Sequence, residues 1–249
     1  MAYQKSKFAL TMPETDQVLH TLQSLGITKK EDQPKSNFPK YMENNKKMMR
    51  FWYKRYKLFS RFDQGIKLDA ESWYSVTPEG VAEEIAQRLA CDIVVDAFCG
   101  CGGNAIQFAK TCRRVIAIDI DANKLAMAKH NATIYGVADK IEFIYADFLH
   151  FASSTRLRAD AVFLSPPWGG TNYSREEFDI EKYLLPVGAT KMMQYARRIS
   201  ENVGIYLPRS SNIKQVVALA KEKQHREVDM NFLGSSWVAI TAYFWDFKF

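Results

Sequence analysis

Long apolar runs are missing from this 249-residue chain: stretches such as Ile93 to Phe98 and Ala161 to Leu164 fall far short of a membrane-spanning helix. The first residues, Met1-Ala-Tyr-Gln-Lys-Ser-Lys, also lack the apolar stretch of a signal peptide. Together these absences predict a nuclear and/or cytoplasmic protein with no membrane partner. Low-complexity tracts and internal repeats are absent too, and a composition 47% hydrophobic and 13% aromatic excludes a disordered chain. Cysteine is scarce, and all four (Cys91, Cys99, Cys101, Cys112) lie close together. Cys99-x-Cys101 is not a zinc spacing and no histidine stands nearby, so the expectation is four reduced, mostly buried thiols and no metal.

What is present is charge, unevenly placed. The net charge is +6, yet Lys29 to Lys67 holds twelve Lys/Arg against four acids, so that segment carries +8 and the remainder −2. Aromatics interleave with the cations: Phe51-Trp-Tyr, Tyr56, Phe59, Phe62. Cations neutralise phosphates and rings stack on bases, which suits a polyanion. A helix with a merely basic solvated face has the same composition, and composition alone does not separate the two.

From Asp92 onward strand and helix patterns alternate. Asp92-IVVDAF, Arg114-VIAIDI, Lys140-IEFIYAD, Ala159-DAVFL and Asn202-VGIYL read as strands, and Glu227-VDMNFL with Trp237-VAITAYF as a terminal hairpin. Helices are expected over Gly102 to Cys112, over Ala122 to Tyr135 (closed by Gly136), and from Ile213 to about Lys223. Apolar runs without alternation imply strands covered on both faces, hence an α/β fold with a largely parallel sheet. Upstream, Pro13 to Leu25 reads as a short amphipathic helix, Lys29 to Pro39 as a polar linker, and 41–59 as helical. Thr77-Pro78-Glu79 reads as a helix start with a capping Thr. The division expected is a basic, mainly helical extension over 1–75 and a larger domain over 76–249.

Ligands of such sheets bind beyond the carboxyl ends of the strands. Three strands here end in an acid: Asp96, Asp119, Asp147. Asp96-Ala-Phe-Cys-Gly100-Cys-Gly102-Gly103 joins the first strand to its helix, with glycines that allow a tight turn and close approach of a ligand. Asp119 stands where a ribose-binding acid belongs. A dinucleotide such as NAD fits that acid, but the loop reads G-x-G-G rather than G-x-G-x-x-G. A carboxylate at 96 would also repel a pyrophosphate, whereas it suits the ammonium of a methionine moiety. The pattern favours S-adenosylmethionine (SAM), with S-adenosylhomocysteine as product. It resembles the Rossmann-like class I SAM-dependent methyltransferases. That resemblance implies a seven-stranded sheet with an antiparallel last strand, Asp96 and the Gly100–Gly103 loop at the methionine part, Asp119 at the ribose, and Asp147 with Phe148 at the adenine.

The fourth strand ends in Ser165-Pro166-Pro167-Trp168, similar to the turn of methyltransferases acting on planar nitrogens. An amine conjugated to a ring is a poor nucleophile. It improves when acceptors hold its protons and align its lone pair, here the Ser165 hydroxyl and a turn carbonyl, with Trp168 stacked on the base.

These motifs, with Leu58-Phe-Ser-Arg-Phe-Asp-x-Gly-Ile-Lys-Leu-Asp upstream, resemble the trimethylguanosine synthase family over roughly residues 45–249. The resemblance implies methyl transfer to the exocyclic N2 of a 7-methylguanosine cap on small nuclear and nucleolar RNAs (snRNA, snoRNA), giving 2,2,7-trimethylguanosine. Its implied partners are those RNAs and their RNP proteins. By the family pattern, Trp168 stacks on the cationic base, Ser165 and the Pro166 carbonyl orient the amine, and Asn131 meets the base edge. Arg50, Tyr173 and Arg209 hold phosphates, while Phe59 and Thr77 help close the SAM pocket. This chain reads Thr171-Asn172-Tyr173 where a Pro-Asp-Tyr-like turn is expected, which unsettles the loop carrying Tyr173. The rival readings are another nitrogen methyltransferase (rRNA guanine-N2, adenine-N6 or protein glutamine) and a cap-binding module without SAM. Trp rather than Phe/Tyr at 168 and the Phe-Ser-Arg-Phe stretch disfavour the first; the intact acids and glycine loop disfavour the second.

Overall fold

The computed structural model describes residues 46–170 and 177–246, and the account below concerns these. The helix expected over Pro13 to Leu25, the linker over Lys29 to Pro39, and Tyr173 lie outside them. The compact unit begins at Lys46, so the boundary read at 75/76 falls inside it. Helices α1 (Lys46–Trp52), α2 (Arg55–Leu58) and α3 (Ser72–Ser75) precede α4 (Glu79–Arg88). Then follow β1 (Ile93–Asp96), α5 (Gly103–Thr111), β2 (Arg114–Asp119), α6 (Ala122–Tyr135), β3 (Ile141–Tyr145), α7 (Phe148–Ser154) and β4 (Ala161–Leu164). After these come α8 (Ala189–Ala196), β5 (Val203–Pro208), α9 (Ile213–Ala218), β6 (His225–Leu233) and β7 (Ser236–Trp245).

The strands make one seven-stranded sheet in the order β3-β2-β1-β4-β5-β7-β6. β1 to β5 pair in parallel, and β7 runs antiparallel between β5 and β6, so the expected sheet and its terminal hairpin are both present. β4 and β5 are buried along their whole length, as their unbroken apolar sequence requires. One face of the sheet (Val95, Ile116, Val162, Leu164, Ile205) shares a core with Phe148 and Ala152 of α7 and Met192 and Met193 of α8. Among the described residues no helix is long and apolar enough to cross a membrane.

Helix ends follow local chemistry. Asp121 caps α6 by accepting from the Asn123 and Lys124 amides, and Gly136 closes it at φ 73°. Two helix expectations need correction. α9 stops at Ala218 rather than near Lys223, because Leu219 and Ala220 turn back onto the Val216 and Val217 carbonyls. Arg197 then claims the Leu219 carbonyl and the Gln224 side chain, each at 2.8 Å, which turns the chain toward β6. Thr77 caps nothing: α4 begins at Glu79 without a side-chain cap, and the Thr77 hydroxyl instead accepts from Asn104 at 3.0 Å.

The basic, aromatic segment divides in two. Trp52, Phe62 and Trp73 form a cluster with ring centroids 5.4–5.9 Å apart, anchoring it to the domain. Tyr53 and Tyr56 stay exposed.

Candidate active site

Strand order reverses between β1 and β4, and a cleft of about 730 Å³ opens there. The β1–α5 loop, the ends of β2 and β3, the Ser165–Trp168 turn, and side chains from α1 and α3 form its walls. Of the residues expected at the site, Arg50, Thr77, Gly100, Asp119, Asp147, Phe148, Ser165, Pro166, Trp168 and Arg209 line it.

The glycine loop is shaped from both sides. Gly102 lies at φ +93°, where a Cβ would also press to 3.1 Å from the Ala128 backbone. Gly100, at φ +52°, has open space where a Cβ would be, toward the cleft it lines. Asp119 fastens this loop: one carboxylate oxygen accepts from the Gly100 amide at 2.8 Å, the other from the Asp121 amide at 2.9 Å. Asp147 uses one oxygen to cap α7 through His150 N–H at 2.8 Å. Phe148 packs against Phe98 at 5.7 Å.

Asp96 sits one layer behind the wall, fully buried. Neither of its oxygens meets a hydrogen-bond partner of standard geometry among the described residues. Burial, and then the Asp119 charge, push its carboxyl up to about 7, with the nearby Phe98 and Ala105 amides offsetting only part. Because the folded value lies above the unfolded one, the neutral carboxyl stabilises the fold at low pH, and that contribution is lost as pH rises toward and through 7. Asp96→Asn is therefore expected to gain more stability over wild type at pH 8 than at pH 5, read by paired thermal melts. Equal differences at the two pH values would refute the buried, unsatisfied carboxylate. Such an orphaned acid beside an open glycine loop fits a ligand that brings a cation.

Beside that loop, at the end of the neighbouring strand β4, the Ser165 hydroxyl donates to the Phe98 carbonyl at 3.1 Å. Its proton is committed, so what Ser165 offers a ligand is lone pairs. Trp168 is half-buried, backed by Tyr206 at 5.3 Å with a 34° tilt. Arg209 donates to the Trp237 carbonyl at 3.1 Å, and Arg50 is exposed on the cleft wall.

Two expected ligand contacts are placed elsewhere. Asn131 is fully buried and takes no part in the wall. Its amide accepts from Lys67 N–H at 2.8 Å and donates to the Lys67 and Cys101 carbonyls at 2.9 and 3.0 Å, which engages both of its N–H donors and its oxygen. Phe59 is buried against Tyr135 at 6.2 Å, beneath the segment rather than in the cleft. All four cysteines are free thiols, three of them buried; burial pushes Cys101 up to about 12, which keeps it unreactive at neutral pH.

Sequence reasoning missed an ion pair on the wall, Lys124 to Glu71 at 2.6 Å, which ties α6 to the residues before α3. Its one signal is a cation in the first turn of α6, where the helix dipole disfavours positive charge. Tyr206 and Trp237 gave none, since each reads as an ordinary strand residue.

Residues 91–245 match the RNA cap guanine-N2 methyltransferase family. The chain is 43% identical over 208 residues to the trimethylguanosine synthase of Schizosaccharomyces pombe, covering 80% of this chain and 86% of that protein. It is 38% identical over 182 residues to the trimethylguanosine synthase of Saccharomyces cerevisiae, covering 69% of this chain and 58% of that one. Among solved structures, a Porphyromonas gingivalis methyltransferase superposes with TM-score 0.63 at 12% identity, over 80% of this chain and 48% of its own. A SAM-dependent O-methyltransferase of Thermotoga maritima gives TM-score 0.50 at 11% identity, over 76% and 71%. At such identities these two speak for the fold alone.

Proposed function

The chain belongs to the RNA cap guanine-N2 methyltransferase family and is a SAM-dependent enzyme of that class; from this premise we propose that it dimethylates the 7-methylguanosine cap of small nuclear and nucleolar RNAs, giving 2,2,7-trimethylguanosine. Work on those RNAs would place it in the nucleus and/or cytoplasm, in the company of RNP proteins. The observation that carries the reading is the Ser165–Trp168 turn beside the acid-fastened glycine loop, tied to it by the Ser165–Phe98 hydrogen bond and lining the same cleft.

SAM, when bound, supplies a methyl group already activated on a sulfonium. From one layer behind the wall Asp96 would offer its charge to the ammonium, Asp119 its remaining lone pairs to the ribose hydroxyls, and Asp147 with Phe148 a polar edge and a ring for the adenine. Thr77 and Gly100 line the pocket around them, and Gly102, packed against Ala128, sets the turn of the loop. On the acceptor side, a 7-methylated guanine is cationic, so the Trp168 indole attracts it as well as stacking on it. The Ser165 lone pairs and the Pro166 carbonyl accept from the 2-amino group and turn its own lone pair toward the methyl. Arg50 and Arg209 hold the cap phosphates, a set to which Tyr173 belongs by family pattern. Asn131 and Phe59 act behind the wall, holding the upstream segment in place.

The test is methyl transfer from labelled SAM to 7-methylguanosine-capped and to unmethylated guanosine-capped RNA, with products read by mass. Transfer confined to the 7-methylated cap, ending in a two-methyl product, is expected. Transfer to both or to neither would move the substrate to another nitrogen. Arg209→Ala is expected to raise KM roughly tenfold for a capped substrate, as loss of one charge-assisted contact of about 1.5 kcal/mol implies. The bare nucleoside should be barely affected, and equal losses on both would remove the phosphate role.

A further inference from the structure

Between Arg50 and Lys67 six cations face a single acid, Asp63. That acid is already engaged by the Tyr56 hydroxyl at 2.7 Å. Of the interleaved aromatics, Trp52 and Phe59 went into the core, but Tyr53 and Tyr56 remain 74% and 46% exposed. Lys54 and Lys57 stand exposed beside them, and the ion pairs of the described residues include neither. Burial of Trp52 and Phe59 explains part of this block; it does not explain why tyrosines and lysines alternate on its outer side.

The patch is continuous with the cleft by two routes. Arg50, in the last turn of α1, lines the cleft, and Tyr53 and Lys54 come three and four residues after it. From the other wall, Arg209 holds the Trp237 carbonyl, and Trp237 pairs across the β6–β7 hairpin with Phe232, which is 48% exposed. The turn of that hairpin reaches α2: a Cβ on Gly234 would lie 3.8 Å from Lys57 Nζ. Arg209, Trp237, the hairpin turn, Lys57 and the two tyrosines therefore form one lip running outward from the site.

We propose that this lip, formed by Tyr53, Lys54, Tyr56 and Lys57 with Phe232 from the hairpin, is the track for the first unpaired nucleotides that follow the cap. The proposal rests on the functional reading above and extends it from the cap to the RNA body. Lysines meet successive phosphates, and tyrosine and phenylalanine faces stack on bases without reading their sequence, which suits an enzyme whose specificity lies in the cap. A protein partner is the weaker match, because lysine is depleted from the cores of protein interfaces.

The experiment uses the full chain, a Lys54→Gln/Lys57→Gln double variant and a Tyr53→Ala variant. Substrates are a 7-methylguanosine-capped dinucleotide and a capped unstructured RNA of about 12 nucleotides, a length within single-strand site sizes. An uncapped strand of the same sequence is titrated by fluorescence anisotropy across salt. Wild type is expected to show a lower KM for the longer substrate. The double variant should lose that advantage while keeping its kcat and KM on the dinucleotide, which also certifies its folding. Its salt slope for the uncapped strand should flatten by about 1.4, from two phosphate contacts at about 0.7 each. Tyr53→Ala should weaken strand binding roughly tenfold with the slope unchanged, as loss of one stacked base implies. Equal KM for both substrates in wild type, equal losses on both in the variants, or an unchanged salt slope would overturn the track. Failure to methylate either capped substrate would instead sink the functional reading, and the strand titration would still decide the track.

Discussion

Trp168→Ala is expected to abolish methyl transfer to a 7-methylguanosine cap while leaving SAM affinity nearly intact. Two effects combine. Loss of a desolvated cation–π contact costs about 2 kcal/mol, roughly a 30-fold loss of cap affinity. Without the indole plane the 2-amino group is also no longer held against Ser165, and misplacement of about 1 Å costs about 100-fold more in rate. Tyr206, whose ring lies 5.3 Å from the indole and also lines the cleft, offers a cation a weaker face than Trp does. Trp168→Phe should fall between the two, since it keeps a ring with a weaker face. The measurement is kcat/KM on the capped substrate beside a SAM titration of the same preparation. Activity within a few-fold of wild type would end the stacking role.

Asp119→Ala should do the reverse, removing SAM affinity and sparing the cap. The reason is double. The carboxylate is the expected partner of the ribose hydroxyls, and in the free chain its two oxygens already hold the Gly100 and Asp121 amides. Hydrogen bonds to a charged group contribute about 1.5–3 kcal/mol each, so losing the loop's fastening alone costs tenfold or more. Asp119→Asn should recover little, because its NH2 would face one of those amides donor to donor. Calorimetric titration with S-adenosylhomocysteine reads the loss; an unchanged isotherm would refute the assignment.

Much of the fold could be read from short windows of sequence. The unbroken apolar runs of β4 and β5, the Gly136 stop of α6 and the acids at three strand ends each declare themselves within a few residues. The Ser165–Trp168 turn was legible for the same reason, two consecutive prolines being a rigid feature in any context. What stayed hidden depends on distant partners. Thr77 looks like a cap until Asn104, from another helix, takes its hydroxyl. α9 is cut short by Arg197, a residue on the far side of β5 in the chain. The Lys124–Glu71 pair and the Tyr206 support behind Trp168 join positions that no local period relates. Windowed reading therefore locates the proline turn and the glycine loop but not the side chains that brace them.

Asn131 shows what such bracing does to a chain's freedom to vary. Three main-chain groups from two separate stretches meet on one buried carboxamide. Aspartate would turn an acceptor toward two carbonyls, glutamine is a methylene too long, and leucine would leave all three groups orphaned. No other natural side chain of that length carries one acceptor and two donors in a plane. The position is thereby pinned to a single amino acid as firmly as any that meets a ligand. Its history of substitution would record the carpentry of the molecule rather than its chemistry.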